Sequence, residues 1–213
     1  ILLISIFTMF LVINFNPYLL NNFFEVKDIR INGTEKTNPD ELRQILTPNL
    51  NNLISFDKDH AKSLLEQVGW VKRANIKKIY PNTLIINIIE TDPFAIYYDN
   101  QNNYLIDIDG QIIYSNPDIN VYKNLLIVRG EEAKTKLNEI IKEINIYFPD
   151  VRNQINELEF IEKRRWNLFL SGNLLIKLPD TEIKESLNNL KKLLDPCLDQ
   201  IMYHHLSLQC PHN

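Results

Sequence analysis

Two β-type runs in the middle of the chain constrain the fold more than any other feature. The stretch WVKRANIKKIYPNTLIINIIETDPFAIYY, residues 70–98, holds two isoleucine-rich runs that meet at Pro81 and Asn82. Such runs on either side of a turn predict a β-hairpin. The second run stops at Pro93, which cannot donate a hydrogen bond to a sheet and restricts the residue before it. An aromatic run begins at once with Phe94, so we predict a boundary between two small domains here.

The residues before the hairpin predict a strand and a first short helix. Residues 24–31 are strand-like and lead into a glycine turn. Asn38 suits an N-cap and Pro39 the first helical position, with Glu41 able to reach back as in a capping box. These signals predict a helix over residues 40–46.

A second helix is predicted to begin after Asp57 and to end at Gly69. Its apolar positions recur at helical spacing, which places one stripe on the helix: Ala61, Leu64, Leu65 and Val68. The order strand, helix, helix, strand, strand predicts a two-layer α+β domain with both helices on one face of a small sheet. The last strand has apolar residues on both faces, so we expect it to be central or covered on both sides.

Residues 93–213 predict a second, mixed β-domain with two helices. NYLIDIDGQIIYS is a predicted hairpin with Asp109 and Gly110 as a two-residue type I′ turn. INELEFIEKRRWNLFLSGNLLIKLP predicts three successive strands, and YHHLSLQCP predicts a last one. The two predicted helices carry apolar residues at helical spacing: Ala133, Leu137, Ile140, Ile141 and Ile144 in one, and Ile183, Leu187, Leu190 and Leu194 in the other.

The first 24 residues carry no charge, and ILLISIFTMFLVINF is almost wholly apolar. Fifteen helical residues rise only about 22 Å, less than the roughly 30 Å hydrocarbon core of a bilayer. Either the span continues to Leu20, or the sequence begins inside it. A cleaved signal peptide is the alternative. No small-x-small cleavage site follows, which favours an uncleaved transmembrane anchor over residues 1–20.

Residues 24–90 resemble the POTRA domain of the FtsQ/DivIB cell-division proteins. The resemblance rests on VKDIRINGT, on FDKDHAKSLLEQVGWVKRANIKKIYPNTLIINIIETDPFA, and on the apolar segment ahead of both. The second domain is similar to the same family around Arg165-Trp166 and Leu178-Pro179. Its last strand departs from the family, since Ser207 and Gln209 stand where FtsQ-like chains usually carry Asp and Arg. The resemblance predicts an anchor over 1–20, a POTRA domain over 24–92 and an FtsQ-type β-domain over 93–213.

The resemblance implies a scaffold of the bacterial divisome. Such a protein crosses the inner membrane once, holds most of its chain in the periplasm and concentrates at the division septum. It implies partners like FtsB and FtsL, other divisome components, and capture by strand addition at a sheet edge. The candidate partner-binding residues are Tyr203, His205, Leu206, Ser207, Leu208, Gln209 and Cys210. The basic run before Trp166 leaves two interpretations open: Arg165 and Trp166 form a partner patch, or the run is a solvated turn with Trp166 in the core.

The sequence shows no catalytic, cofactor or metal constellation. A net charge of −4 gives no general attraction to nucleic acid, and no feature predicts a small-molecule substrate. Cys197 and Cys210 either form a disulfide or remain free and buried. An outer-membrane assembly or secretion factor with a POTRA domain is the alternative function, although it should continue into long barrel strands. A periplasmic enzyme ranks third.

Overall fold

The computed structural model describes residues 2–15, 22–50, 52–99 and 102–194. The chain divides into one unit over Ile1–Thr91 and another over Asp92–Asn213. Helix α1 (Leu2–Phe15) opens the first unit, and its described side chains are exposed. Its 14 residues rise about 21 Å. Among the described residues, no helix has both the length and the apolar character to cross a membrane, so the anchor over residues 1–20 stays a prediction.

The first unit holds a three-stranded sheet of β1 (Asp28–Asn32), β2 (Val71–Ile79) and β3 (Thr83–Glu90). The predicted hairpin is present as β2 and β3, and β3 is central in the order β1-β3-β2, which confirms the expectation from its apolar faces. β1 runs parallel to β3. β1 is shorter than predicted, because the backbone carbonyl of Phe24 accepts a hydrogen bond from the loop residue Leu53 instead of from a strand.

Helices α2 (Pro39–Leu46) and α3 (Lys58–Leu65) follow the predicted start signals. The Asn38 side chain accepts the N–H of Asp40 at 2.9 Å, and Asp57 accepts the N–H groups of Asp59 and His60. Both N-caps are therefore confirmed. These hydrogen bonds lower the pKa of the Asp57 carboxyl, the bond from His60 most. The second helix ends four residues before Gly69, because the chain turns through residues 66–70 to enter β2.

The loop after β1 is held by a carboxylate at the end of β3. Glu90 accepts the backbone N–H groups of Glu35 at 3.1 Å, Lys36 at 3.0 Å and Thr37 at 2.7 Å. Gly33 makes this close approach possible: its φ is 82°, and a Cβ there would lie 2.2 Å from the carbonyl oxygen of Ile88. Burial opposes the charge of Glu90, but hydrogen bonds from the loop outweigh it and lower the pKa of this carboxyl.

The second unit holds a seven-stranded sheet in the order β10-β9-β8-β7-β4-β5-β6. The strands are β4 (Ala95–Tyr98), β5 (Asn103–Ile106), β6 (Ile112–Ser115), β7 (Leu126–Arg129), β8 (Ile155–Ile161), β9 (Arg165–Leu170) and β10 (Leu174–Pro179). β7 is parallel to both of its neighbours, β4 and β8, and the other neighbours are antiparallel. The mixed α+β class is thus confirmed, and so are the three successive strands β8 to β10.

Three helices accompany this sheet: α4 (Ala133–Tyr147), α5 (Pro149–Arg152) and α6 (Ile183–Leu194). The five apolar positions predicted for the first of them are all buried. They join one core with alternating side chains of the strands, including Val128, Leu158, Leu168 and Ile176. One face of the sheet therefore bears the helices.

The β5–β6 turn differs from its prediction. Gly110 has a φ of 76°, but Asp109 is not among the residues with positive φ, so the turn is not type I′. The carbonyl of Asp107 accepts the N–H of Gly110 at 3.1 Å, which makes a three-residue loop that ends in a left-handed glycine. The Asp107 carboxylate accepts the N–H groups of Asp109 and Gln111, and this side chain favours the longer loop.

Candidate partner-binding face of the second sheet

Strand β10 is one edge of the second sheet within the described residues. It pairs with β9 from Leu174, opposite Leu170, to Pro179, opposite Arg165. No other described strand pairs with its far side. Unpaired backbone N–H and C=O groups on such an edge can accept a strand from another chain. β6 is the opposite edge of the same sheet.

The side chains of β10 alternate between the core and the other face of the sheet. Ile176 and Leu178 are buried in the core. Leu175 and Lys177 are exposed on the opposite face, where Leu175 lies across from Phe169 of β9. The half-buried Phe169 and the exposed Leu175 thus place an apolar pair on this second face, next to the side of β10 that no other described strand pairs with.

Further into the sheet, the second face carries both buried apolar side chains, such as Ile96 and Leu105, and several paired polar groups. The Nε of Arg129 donates to Oε1 of Glu157 at 2.8 Å, and its guanidinium lies 4.2 Å from the ring centre of Tyr98. The amide of Asn167 donates to Oε2 of Glu159 at 3.1 Å. Asn167 is buried, and its Oδ1 has no hydrogen-bond partner in the described part of the chain. The polar groups near the centre are therefore largely paired with one another, in contrast to the apolar pair at the edge.

The basic run at residues 163–165 forms the β8–β9 turn and the start of β9. Lys163 pairs with Glu131 at 3.0 Å and Glu132 at 2.8 Å, and hydrogen bonds to Glu132 and then Glu131 raise the pKa of this amine. Arg164 pairs with Glu162. Arg165 is exposed and makes no ion pair with another described residue. Arg165 is therefore the cation of this run best placed to meet a partner.

Trp166 is a core residue, which favours the second of the two interpretations of this run, a solvated turn with Trp166 in the core. Its side chain is fully buried, and its ring centre lies 4.7 Å from that of Phe160. Strand alternation explains the outcome, because Arg165 and Trp166 are neighbours in β9 and must point to opposite faces. The solvated-turn interpretation holds for Lys163 and Arg164.

The other predicted site residues lie outside the described part of the chain. They are Cys197, Tyr203, His205, Leu206, Ser207, Leu208, Gln209 and Cys210, and with them the last predicted strand and the possible disulfide. The sequence reasoning missed Phe169 and Leu175. The alternation in LLIKLP could have pointed to Leu175, but only the order of the strands reveals that β10 is an edge.

A small α+β unit followed by a unit built on a mixed seven-stranded sheet defines a protein of two structural modules. Family models agree with this class: the FtsQ-type POTRA domain matches residues 24–91, and the C-terminal region of cell division protein FtsQ/DivIB matches residues 95–203. The chain therefore belongs to the FtsQ/DivIB family of cell-division proteins.

Individual proteins similar to this chain are named Cell division protein FtsQ. Cell division protein FtsQ of Bartonella bacilliformis is 31% identical over 168 residues, which cover 78% of this chain and 54% of the relative. That of Agrobacterium fabrum is 29% identical over 171 residues, which cover 80% of this chain and 53% of the relative. This chain thus spans about half the length of these two relatives. The major extracytoplasmic domain of the cell division protein DivIB from Geobacillus stearothermophilus matches 52% of this chain and 97% of its own, with 11% identity and a TM-score of 0.35.

Proposed function

We propose that this protein is a scaffold of the divisome, anchored in the inner membrane with the bulk of its chain in the periplasm and concentrated at the septum. In this proposal, residues 1–20 are the anchor, 24–92 the POTRA domain and 93–213 the β-domain. The anchor confines the protein to two dimensions and so raises the effective concentration of the division proteins that it holds together. Membership of the FtsQ/DivIB family supports the division role.

The proposed anchor is supported by the charge and hydropathy of the first residues. α1 is uncharged, and its described side chains are exposed and mostly apolar, which is costly in water and favourable in lipid. A helix continued to residue 20 would rise about 30 Å, the thickness of the hydrocarbon core.

The second sheet supplies the proposed binding surface for partners like FtsB and FtsL. The observation that carries this proposal is that β10 is an edge strand within the described residues, flanked on the second face by Leu175 and Phe169. A partner strand gains main-chain hydrogen bonds at such an edge and specificity from apolar side chains beside it. Helix α6 packs against β10, and residues 203–210 follow it in the sequence. We include these residues in the surface, with Arg165 at its rim.

Two proline substitutions test strand addition at the predicted last strand. We expect Leu206→Pro with Leu208→Pro to weaken capture of an FtsB-like partner by the full chain, because proline removes backbone donors. The loss should be tenfold or more, corresponding to about 1.4 kcal/mol. The matched control is Leu206→Val with Leu208→Val, which keeps the donors and should bind normally. Full binding by the proline variant, folded by circular dichroism, contradicts strand addition there.

The two edges of the sheet allow a second, matched test. Leu175 beside β10 is 41% exposed and Ile112 on β6 is 40% exposed, so an aspartate at either position should leave the protein folded. We expect Leu175→Asp to weaken partner capture about tenfold, because a desolvated charge at an interface is costly. Ile112→Asp should leave capture unchanged. The reverse result assigns partner binding to β6 and rejects β10.

A further inference from the structure

Exposed apolar side chains gather at one end of the first unit. Within described residues 22–91, the exposed large apolar side chains are Phe23, Ile54, Ile79, Tyr80 and Ile89. The first four lie in, or next to, the hairpin tip and the two segments that pack beside it. Ile89 lies six residues along β3 from Thr83, about 20 Å away. Clustered exposed apolar groups usually mark an interaction surface.

Ring contacts and backbone hydrogen bonds join the segments that carry Phe23, Ile54 and Tyr80. The rings of Phe23 and Phe24 meet edge to face at 5.1 Å, and Phe24 meets Tyr80 in the same way at 6.0 Å. The N–H of Leu53 donates to the carbonyl of Phe24 at 2.7 Å, and that of Lys27 to Asn82 at 2.9 Å. Segments 22–28, 52–56 and 78–82 therefore form a single surface, here named the aromatic end.

The charged groups of the aromatic end suit a lipid headgroup layer. Lys78 donates from Nζ to the carbonyl of Ile54 at 3.2 Å and lies 5.8 Å from the ring centre of Phe56, so its stem follows the apolar surface while its head reaches the edge. Lys27 is exposed in the same set of segments, and the carboxylates Glu25 and Asp28 keep the local charge near balance. Aromatic rings with mixed polar groups are typical of the membrane–water interface.

The length of the chain keeps the aromatic end close to the proposed anchor. α1 ends at Phe15, and Phe23 is eight residues further on. The proposed anchor continues to residue 20, three residues before Phe23, and three residues reach at most about 11 Å when fully extended. An anchor in the bilayer would therefore hold Phe23 at or near the headgroup layer, whatever path the intervening residues take.

We propose that the aromatic end is a membrane-contacting surface, with Phe23, Ile54 and Tyr80 inserted among the lipid headgroups. This inference rests on the proposed anchoring and adds to it a second, non-spanning contact with the same bilayer. Such a contact limits the orientations of the first unit relative to the membrane, because two points of attachment replace one. It assigns the exposed aromatic residues a lipid partner and not a protein.

Depth-dependent quenching tests the proposal in the full chain. The chain is reconstituted into vesicles of phosphatidylcholine and phosphatidylglycerol, with and without brominated phosphatidylcholine. Tyr80→Trp places a reporter at the aromatic end, and Ile89→Trp is the matched control, since Tyr80 is 59% and Ile89 48% exposed. After subtraction of the parent signal, we expect bromine to quench the Tyr80→Trp reporter about twofold more than the control. Phe23→Trp provides a second reporter at the same surface.

Flotation of the parent chain with the vesicles distinguishes a failure of the proposed anchor from a failure of the proposed membrane contact. If the chain floats and both aromatic-end reporters are quenched no more than Ile89→Trp, the membrane contact is rejected while the anchor stands. The same quenching result is expected if the aromatic end binds a protein and not lipid. If the parent chain does not float, the anchor and the contact are rejected together.

Discussion

The two units use their carboxylates for different purposes. In the first unit, Glu90 reaches across more than fifty residues to accept the N–H groups of residues 35–37. The ion pairs of that unit's described residues join positions no more than four apart. In the second unit, ion pairs connect distant elements, as Arg129 does with Glu157 and Lys136 with Asp180. Among the described residues, the long-range hydrogen bonds of the Glu90 carboxylate in the first unit thus go to the backbone, whereas the second unit also has long-range ion pairs between side chains.

Because of this difference, acid and salt should affect the stability of the two units differently. A carboxylate that binds neutral N–H groups loses its role when it is protonated, but salt affects it little. An ion pair between partly exposed side chains weakens as salt screens the two charges. Acid should therefore act first on the loop of the first unit, and salt on the second unit.

The tryptophans give the largest expected contrast, since the chain has two and each unit holds one. Trp166 is fully buried, whereas Trp70 is half-buried with Lys36 4.8 Å above its ring. We expect Trp166→Ala to lower the free energy of unfolding of the second unit by about 3–5 kcal/mol, because it leaves a large cavity. Trp70→Ala should cost clearly less in the first unit. Urea unfolding, followed by hydrogen exchange in each unit, measures both, and equal losses would remove the contrast.

Substitution of Glu90 has the next largest effect. We expect Glu90→Gln to destabilise the first unit by about 1–3 kcal/mol, because charge-assisted hydrogen bonds to three N–H groups become weaker. The folded pKa of Glu90 lies below its usual value of 4.5. The contribution of Glu90 to the stability of the first unit is therefore fully present above about pH 4.5, and it is lost as the pH falls through the folded pKa.

Hydrogen exchange of residues 35–37 between neutral pH and pH 3 measures the effect of Glu90. Parent and Glu90→Gln should differ at neutral pH, and the difference should shrink as the pH falls and Glu90 is protonated. Asp28→Asn is the control, because Asp28 pairs with the exposed Arg30 and not with this loop. Equal exchange of residues 35–37 in parent and Glu90→Gln at neutral pH contradicts the assigned role.

The smallest effect is expected at Arg129. Both partners of its ion pair with Glu157 are partly exposed. We therefore expect Arg129→Gln to lower the free energy of unfolding by about 1 kcal/mol or less, and this figure includes the loss of the cation–π contact with Tyr98. Arg129→Lys keeps the charge and should lose only part of this stability. Thermal unfolding at low and high salt tests whether the lost stability is electrostatic, because the destabilisation by Arg129→Gln should then shrink as the salt concentration rises. A cost that does not change with salt would assign Arg129 a packing role.

Local signals in the sequence predicted much of this fold. The N-caps Asn38 and Asp57 and the buried stripe of α4 follow from residue type and helical spacing. The turn at Asp109 was predicted wrongly because the Asp107 side chain, and not the Asp-Gly pair alone, selects the loop. β7 was missed because it is four residues long and lies between two parallel neighbours that only the tertiary fold brings together.

The candidate site was less accessible to sequence reasoning. Arg165 and Trp166 were judged as a pair, although adjacent strand residues must face opposite ways. Leu175 and Phe169 are candidates only because the order of the strands places them at an edge of the sheet, and no short motif encodes that order. The residues at 203–210 were chosen by resemblance, and their role remains the prediction that the proline variants test.

The most direct test of the division role is the position of a fluorescently tagged full-length protein in dividing cells, followed by its depletion. We expect the protein to gather at midcell and depleted cells to grow as filaments without septa. Re-expression of the parent should restore septa, and the Leu206→Pro, Leu208→Pro variant should not. A uniform envelope signal with normal septa after depletion would contradict a role as a division scaffold.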